Sequence, residues 1–229
     1  MHIYEENGIL LPSVTTILHS FIINDGRLLK WSNRLGWQHK SYDEELQKSA
    51  TFGTALHSLL EQYMNPNSES APVQINGFDT IRLKNAFSNF VNYSKIHELN
   101  PENTLYTEMT LKSTDLGFAG TCDWIGSYKN KLTLIDYKSS SKPNDIMFYQ
   151  LAAYDKLIST TLGLKLENWM ILTVNGKGVK EYPITRDDID KYYEIFMHFF
   201  EIYKLITPYS ALEEAYKQLD NNFTEKGSD

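Results

Sequence analysis

Up to His97 the apolar residues recur every third or fourth position, and from Thr104 the pattern shortens to strand-like runs. "PSVTTILHSFI" predicts a short helix with Ser13 as its cap. "DGRLLKWSNRLGWQHK" predicts a helix broken near Gly36. In "SATFGTALHSLLEQYM", Phe52, Leu56, Leu59, Leu60 and Tyr63 keep helical spacing. "NPNSESAP" reads as a loop, and "FDTIRLKNAFSNFVNYSKIH" as a second long helix.

"TLYTEMTLKS", "GFAGTCDWIGSY" and "KLTLIDYKSS" then read as three successive strands joined by short turns. "DIMFYQLAAYDKLISTTLG" follows as a helix and "ENWMILTV" as a further strand, which Asn175-Gly176 turns into "GVKEYPI". "DDIDKYYEIFMHFFEIYKLI" is an amphipathic helix, and the polar tail from Asn221 is expected to fray. This order of elements predicts an α/β fold, with a mixed central sheet flanked by helices, rather than a βαβ repeat. The expected organisation is one domain over 1–220. Within it, 1–100 is mainly helical, 101–185 is the sheet core, 186–220 holds C-terminal helices, and 221–229 is a flexible tail.

The chain has 229 residues and is 41% hydrophobic, enough for a sizeable core. No apolar run reaches the length of a membrane-spanning helix, so no membrane partner is expected. The N-terminus carries acids early and lacks a basic region ahead of an apolar segment, so no signal peptide is expected. A single cysteine, Cys122, excludes an internal disulfide and suits a cytoplasmic protein. It also excludes a zinc or iron–sulfur centre built from several cysteines of this chain. The net charge of -7 argues against a protein that coats nucleic acid non-specifically, but not against an enzyme whose metal needs carboxylates.

The candidate chemistry lies in "KLTLIDYKSSSKPN". Side chains two apart on a strand share a face, so Asp136 and Lys138 point the same way. Asp123 on the preceding strand can join them if the register cooperates. Two carboxylates side by side repel each other and call for a cation; hard oxygen ligands suit Mg²⁺ or Mn²⁺. A metal held there can acidify a water and neutralise charge on a phosphodiester, and a nearby lysine can orient the water or hold the phosphate. Taken alone, the Asp-x-Lys triplet is more often the solvated end of a strand. Two otherwise apolar strands that each carry an acid are costly without compensation.

Together "GFAGTCDWIG", "KLTLIDYKSS" and "YQLAAY" resemble the PD-(D/E)xK nuclease superfamily, in particular its RecB-like exonuclease branch. "TFGTALHSLLEQY" is similar to that branch's upstream helix, which carries a histidine before the sheet. "LPSVTTIL" resembles a segment of the mitochondrial genome maintenance exonucleases and related phage nucleases. The resemblance runs from Pro12 to Tyr154. It implies a restriction-endonuclease-like core with an N-terminal helical elaboration. It also implies His57, Asp123, Asp136 and the Tyr137 carbonyl as ligands of Mg²⁺ or Mn²⁺, and Lys138 as the catalytic lysine. Gln150 and Tyr154 match a QxxxY signature that supports the site or the DNA backbone, and Glu108 matches an acid on the strand before Asp123. The chain departs from the pattern at Cys122, where a proline is the superfamily's norm. It also lacks the cysteine set that binds an iron–sulfur cluster in some relatives.

The implied activity is that of a metal-dependent DNA exonuclease, with a preference for single-stranded DNA or DNA ends. A helicase or a single-strand-binding protein is a candidate partner. The alternatives are a structure-specific endonuclease acting on flaps or branches, and a catalytically silent nucleic-acid-binding module. An intact set of His57, Asp123, Asp136 and Lys138 argues against the silent module. Trp31, Trp37 and Tyr42 either pack into the core or stack bases. An ordinary imidazole titrates near about 6.5, so metal-dependent activity is expected to fall below roughly pH 6.

Overall fold

The computed structural model describes residues 1–21, 26–68 and 78–225. It opens on a hairpin that the hydrophobic pattern does not announce. Strands β1 (Ile3–Glu6) and β2 (Ile9–Pro12) pair antiparallel across Asn7 and Gly8, both at positive φ (53° and 79°). Asn-Gly favours this backbone, so the signal was present in the residue pair rather than in the periodicity. Helix α1 (Val14–His19) is capped as expected, with Ser13 Oγ accepting from the Thr16 N–H. Helix α2 (Arg27–Trp37) runs through Gly36 instead of breaking there. One glycine costs a helix only about 1 kcal/mol, too little to end it alone.

Helix α3 (Tyr42–Met64) begins well before the predicted Ser49. Ser41 accepts from the Glu44 N–H at 3.4 Å, and Asp43, Glu44 and Glu45 favour the positive end of the helix. Part of the loop expected after it, 69–72, lies outside the described residues. Helix α4 (Phe78–His97) occupies its predicted span.

Strands β3 (Thr104–Ser113), β4 (Phe118–Tyr128), β5 (Lys131–Lys138), β6 (Asn168–Asn175) and β7 (Gly178–Ile184) form one sheet in that order. All neighbours are antiparallel except β5 and β6. A parallel pair needs a crossover, and helix α5 (Asp145–Thr161) supplies it. Helices α6 (Arg186–Ile206) and α7 (Tyr209–Glu225) follow. The last carries the chain into the segment expected to fray, and 226–229 lie outside the described residues.

Helices α1, α5 and α6 cover one face of the sheet through Ile17, Leu151, Leu157, Phe196 and Phe200. Helices α3 and α4 cover the other through Phe52, Leu56, Leu60 and Phe90. This is the expected mixed sheet between helical layers. No helix among the described residues is long and apolar enough to cross a membrane.

One close approach fixes α5 against β4. A Cβ on Gly120 would stand 2.5 Å from Tyr154 Cε1, a distance no packed pair tolerates. The buried Tyr154 ring therefore depends on glycine at position 120. Gly120→Ala is expected to lower the melting transition by about 1–3 kcal/mol, the usual cost of overpacking. Unchanged melting would show that the ring has room to move.

Candidate active site

The site forms where two strands part. The β4–β5 ladder runs from Tyr128↔Lys131 to Trp124↔Ile135 and stops there, while β5 stays paired with β6 as far as Lys138. At the fork the Tyr137 N–H has lost its partner strand and donates to Asp123 Oδ2 at 2.6 Å. The N–H and C=O of one strand residue point to the same side, so the Tyr137 carbonyl also faces the fork. The Tyr137 ring turns into the opposite core, edge-on to Phe90, and its hydroxyl is buried without a hydrogen-bond partner.

Asp136 is 1% exposed. Lys138 Nζ lies 3.0 Å from its Oδ1 and 2.8 Å from its Oδ2, but only Oδ1 is met at a hydrogen-bonding angle. Oδ2 is thus a buried oxygen without a directed donor. Lys138 also donates to Gln150 Oε1 at 3.2 Å, and Gln150 Nε2 donates to the Tyr154 hydroxyl at 2.9 Å. One side-chain chain therefore runs from Asp136 through Lys138 and Gln150 to Tyr154. The four-residue spacing of Gln150 and Tyr154 on α5 permits its last link.

His57 reaches the fork from α3. Its Nδ1 is 3.6 Å from Asp123 Oδ1 and 3.7 Å from Glu108 Oε1. One ligand atom from each of His57, Glu108 and Asp123 lies within 4.8 Å of the others. Asp136 stands outside this trio, on Lys138. Glu108 holds a φ of 45° in the middle of β3, a conformation that costs a non-glycine residue about 1–3 kcal/mol. Such strain persists where surrounding structure imposes it, and here it accompanies a carboxylate turned toward the imidazole. A position that the resemblance marked only by analogy is thus among the most constrained in the sheet. One turn before His57, a Cβ on Gly53 would make ordinary contact, 3.7 Å from Ser139 Oγ. Glycine is not sterically required at that position.

Three carboxylates face two cations. Burial raises Asp123 above the usual carboxylate range against the pull of His57 and Lys138. Burial likewise raises Asp136 to about 6; Lys138 opposes the shift and the Asp123 charge adds to it. Burial would lower the two cations, but the acids outweigh it. Asp136 and Asp123 raise Lys138, while Asp123 and Glu108 raise His57 to about 9. Without a metal ion, the protonated His57 and the Lys138 ammonium offset the charge of the acids.

This donor set fits a divalent metal. It offers hard oxygens and one imidazole converging on a point, with the undirected Asp136 Oδ2 close by. The raised His57 corrects the pH expectation drawn from an ordinary imidazole. A ligand imidazole must give up its proton, so apparent metal affinity is expected to climb with pH between 6.5 and about 9. Calorimetric metal titrations at several pH values check this. His57→Ala should bind metal more weakly and lose that climb; an unchanged titration would make His57 a structural residue.

Residues 29–206 match the profile of the PD-(D/E)XK nuclease superfamily. No curated protein sequence matches the chain significantly. Among solved structures, the chain is similar to a protein from Eubacterium rectale named provisionally as an exonuclease. The TM-score is 0.41 at 10% identity, over 63% of each chain, so the match spans under two thirds of that protein. It is also similar to SSO0001, with a TM-score of 0.34 at 17% identity over 90% of this chain and 89% of that one. A third similar structure is LHK-Exo in complex with dAMP, with a TM-score of 0.34 at 10% identity over 80% of this chain and 98% of that one.

Proposed function

The chain belongs to the PD-(D/E)XK nuclease superfamily, and on that premise we propose that it is a metal-dependent DNA exonuclease of the RecB-like branch, preferring single strands or DNA ends. The observation that carries this reading is the convergence of His57, Glu108 and Asp123 beside the buried Asp136–Lys138 pair. In this reading 1–220 is one nuclease domain, and a cytoplasmic location fits a DNA substrate.

His57, Glu108, Asp123, Asp136 and the Tyr137 carbonyl would hold the metal. A bound Mg²⁺ or Mn²⁺ supplies Lewis-acid polarisation of the phosphodiester and a water acidified enough to attack it. Lys138 presents its ammonium to the attacking water or to a phosphate oxygen, where negative charge develops. Gln150, itself anchored by the Tyr154 hydroxyl, holds that ammonium in place, so little reorganisation is needed when the phosphate arrives. Exposed Trp37, with 81% of its surface accessible, offers a face on which a base of the incoming strand could stack.

The test uses purified protein with labelled linear single-stranded, duplex and circular single-stranded DNA, with Mg²⁺, with Mn²⁺ and with chelator. Linear single strands are expected to be degraded with either metal, spared with chelator, and consumed while closed circles survive. Degradation undiminished by chelator would refute the metal mechanism. Circles cut as fast as linear strands would make the protein an endonuclease, and binding without any cutting would make it a silent module. Delivery of a strand by a helicase or a single-strand-binding protein would appear as faster duplex degradation when either is added.

A further inference from the structure

Lys138 pairs with Thr173 on β6, and Thr173 pairs with Lys180 on β7. Paired residues turn their side chains to the same face. The lysine of the active site is therefore the first member of a row, Lys138, Thr173 and Lys180. That row crosses two strand spacings, about 10 Å, to the edge of the sheet. At that edge a cavity of about 310 Å³ opens, lined by Ser141, Thr173, Asn175, Lys177 and Lys180 among others.

The cavity is built. Asn175 Nδ2 donates to the Ser140 carbonyl at 3.3 Å, and the Tyr182 hydroxyl donates to the Ser141 carbonyl at 3.4 Å. These two bonds tie the loop after Lys138 onto the β6–β7 hairpin. Lys180 Nζ rests over the Tyr182 ring, 5.0 Å from its centre, and the Lys177 N–H closes the hairpin on Asn175 Oδ1 at 2.9 Å. Among the described residues, no carboxylate lines the cavity. A second cavity, between α5 and α6, makes the contrast. Its Arg186 is already neutralised by Asp155 at 2.9 Å and Asp190 at 3.2 Å. On a chain of net charge -7, a cavity with two lysines and no acid among its described lining residues, two strand spacings from Lys138, has the chemistry of an anion seat.

We propose that this cavity seats one backbone phosphate of the DNA strand, a nucleotide or two from the phosphate being cut. The proposal rests on the nuclease reading of the neighbouring site. Lys177 and Lys180 supply the charge, and the Ser141 hydroxyl supplies a donor. The row from Lys138 sets the path along which the strand lies.

The test compares wild type with a Lys177→Gln/Lys180→Gln variant on short single-stranded oligonucleotides with Mg²⁺, after melting curves confirm equal folding. In each oligonucleotide a neutral methylphosphonate replaces one phosphate. In the wild type, replacement at one position away from the cut is expected to lower kcat/KM about tenfold. In the variant the same replacement should cost nothing further, because the partner charges are gone. The variant's own loss should fall on KM rather than kcat. The slope of log kcat/KM against log salt should shrink by about 0.7 in all, the share of one phosphate contact on a single strand. A variant that keeps the wild-type kcat/KM, salt slope and methylphosphonate profile overturns the phosphate seat and leaves the nuclease reading intact. A wild type that cuts no strand overturns both.

Discussion

Asp136→Asn is expected to lower strand cleavage by about three orders of magnitude or more, the several kcal/mol that a bound metal contributes to a phosphodiester transition state. The fold should survive. Asparagine keeps an Oδ1 to accept from Lys138, and it removes a carboxylate that burial and Asp123 already hold above its usual range. The sign of the stability effect follows. A raised folded pKa means that the contribution of Asp136 is fully present below the unfolded value and is lost as pH rises through about 6. Above that pH the metal-free variant should melt no lower than wild type. It should also lose the stabilisation that added Mg²⁺ or Mn²⁺ gives wild type, because a ligand stabilises only the form it binds. Cleavage and melting with and without metal, measured side by side, decide the matter. Full activity would remove Asp136 from the site. A collapse in melting temperature would reduce the Asp136–Lys138 pair to a structural ion pair.

The second large effect belongs to Lys138. Lys138→Met keeps the volume of the side chain and deletes its charge, so any cavity cost is small. Turnover should fall by about a hundred- to a thousandfold, the range seen when one charge-stabilising donor is removed. DNA affinity should persist, because strand binding sums many phosphate contacts. The Met variant leaves Asp136 buried without its cation, so the metal-free protein should be less stable than wild type and should recover with metal. Single-turnover cleavage and fluorescence-anisotropy binding separate the two roles. If affinity and turnover fall together, Lys138 docks the strand and takes no part in the chemistry.

Gln150 and Tyr154 show how far a local pattern reaches. Their spacing places both on one face of α5, and the structure joins them by a hydrogen bond. The pattern does not say that the face meets Lys138, nor that Gly120 must lack a side chain for Tyr154 to fit. The small residues in "GFAGTCD" were the available sign of that close approach.

The sequence by itself determined the elements and the chemical types at hand. Helical spacing marked Phe78–His97, strand runs marked Thr104–Ser113 and Gly178–Ile184, and alternation put Asp136 and Lys138 on one face. These are short-range properties, set by the 3.6- and 2-residue periods of the backbone. Only the tertiary structure decided where the β4–β5 ladder ends, and that ending turns Asp123 onto the Tyr137 N–H. It also decided that Glu108 is strained toward His57, that the His57 proton is held to about pH 9 by two acids, and that Thr173 and Lys180 extend the Lys138 row. Each of these depends on how separate elements pair and pack, which no local period specifies. A slip of one residue in a strand would send that strand's side chains to the other face.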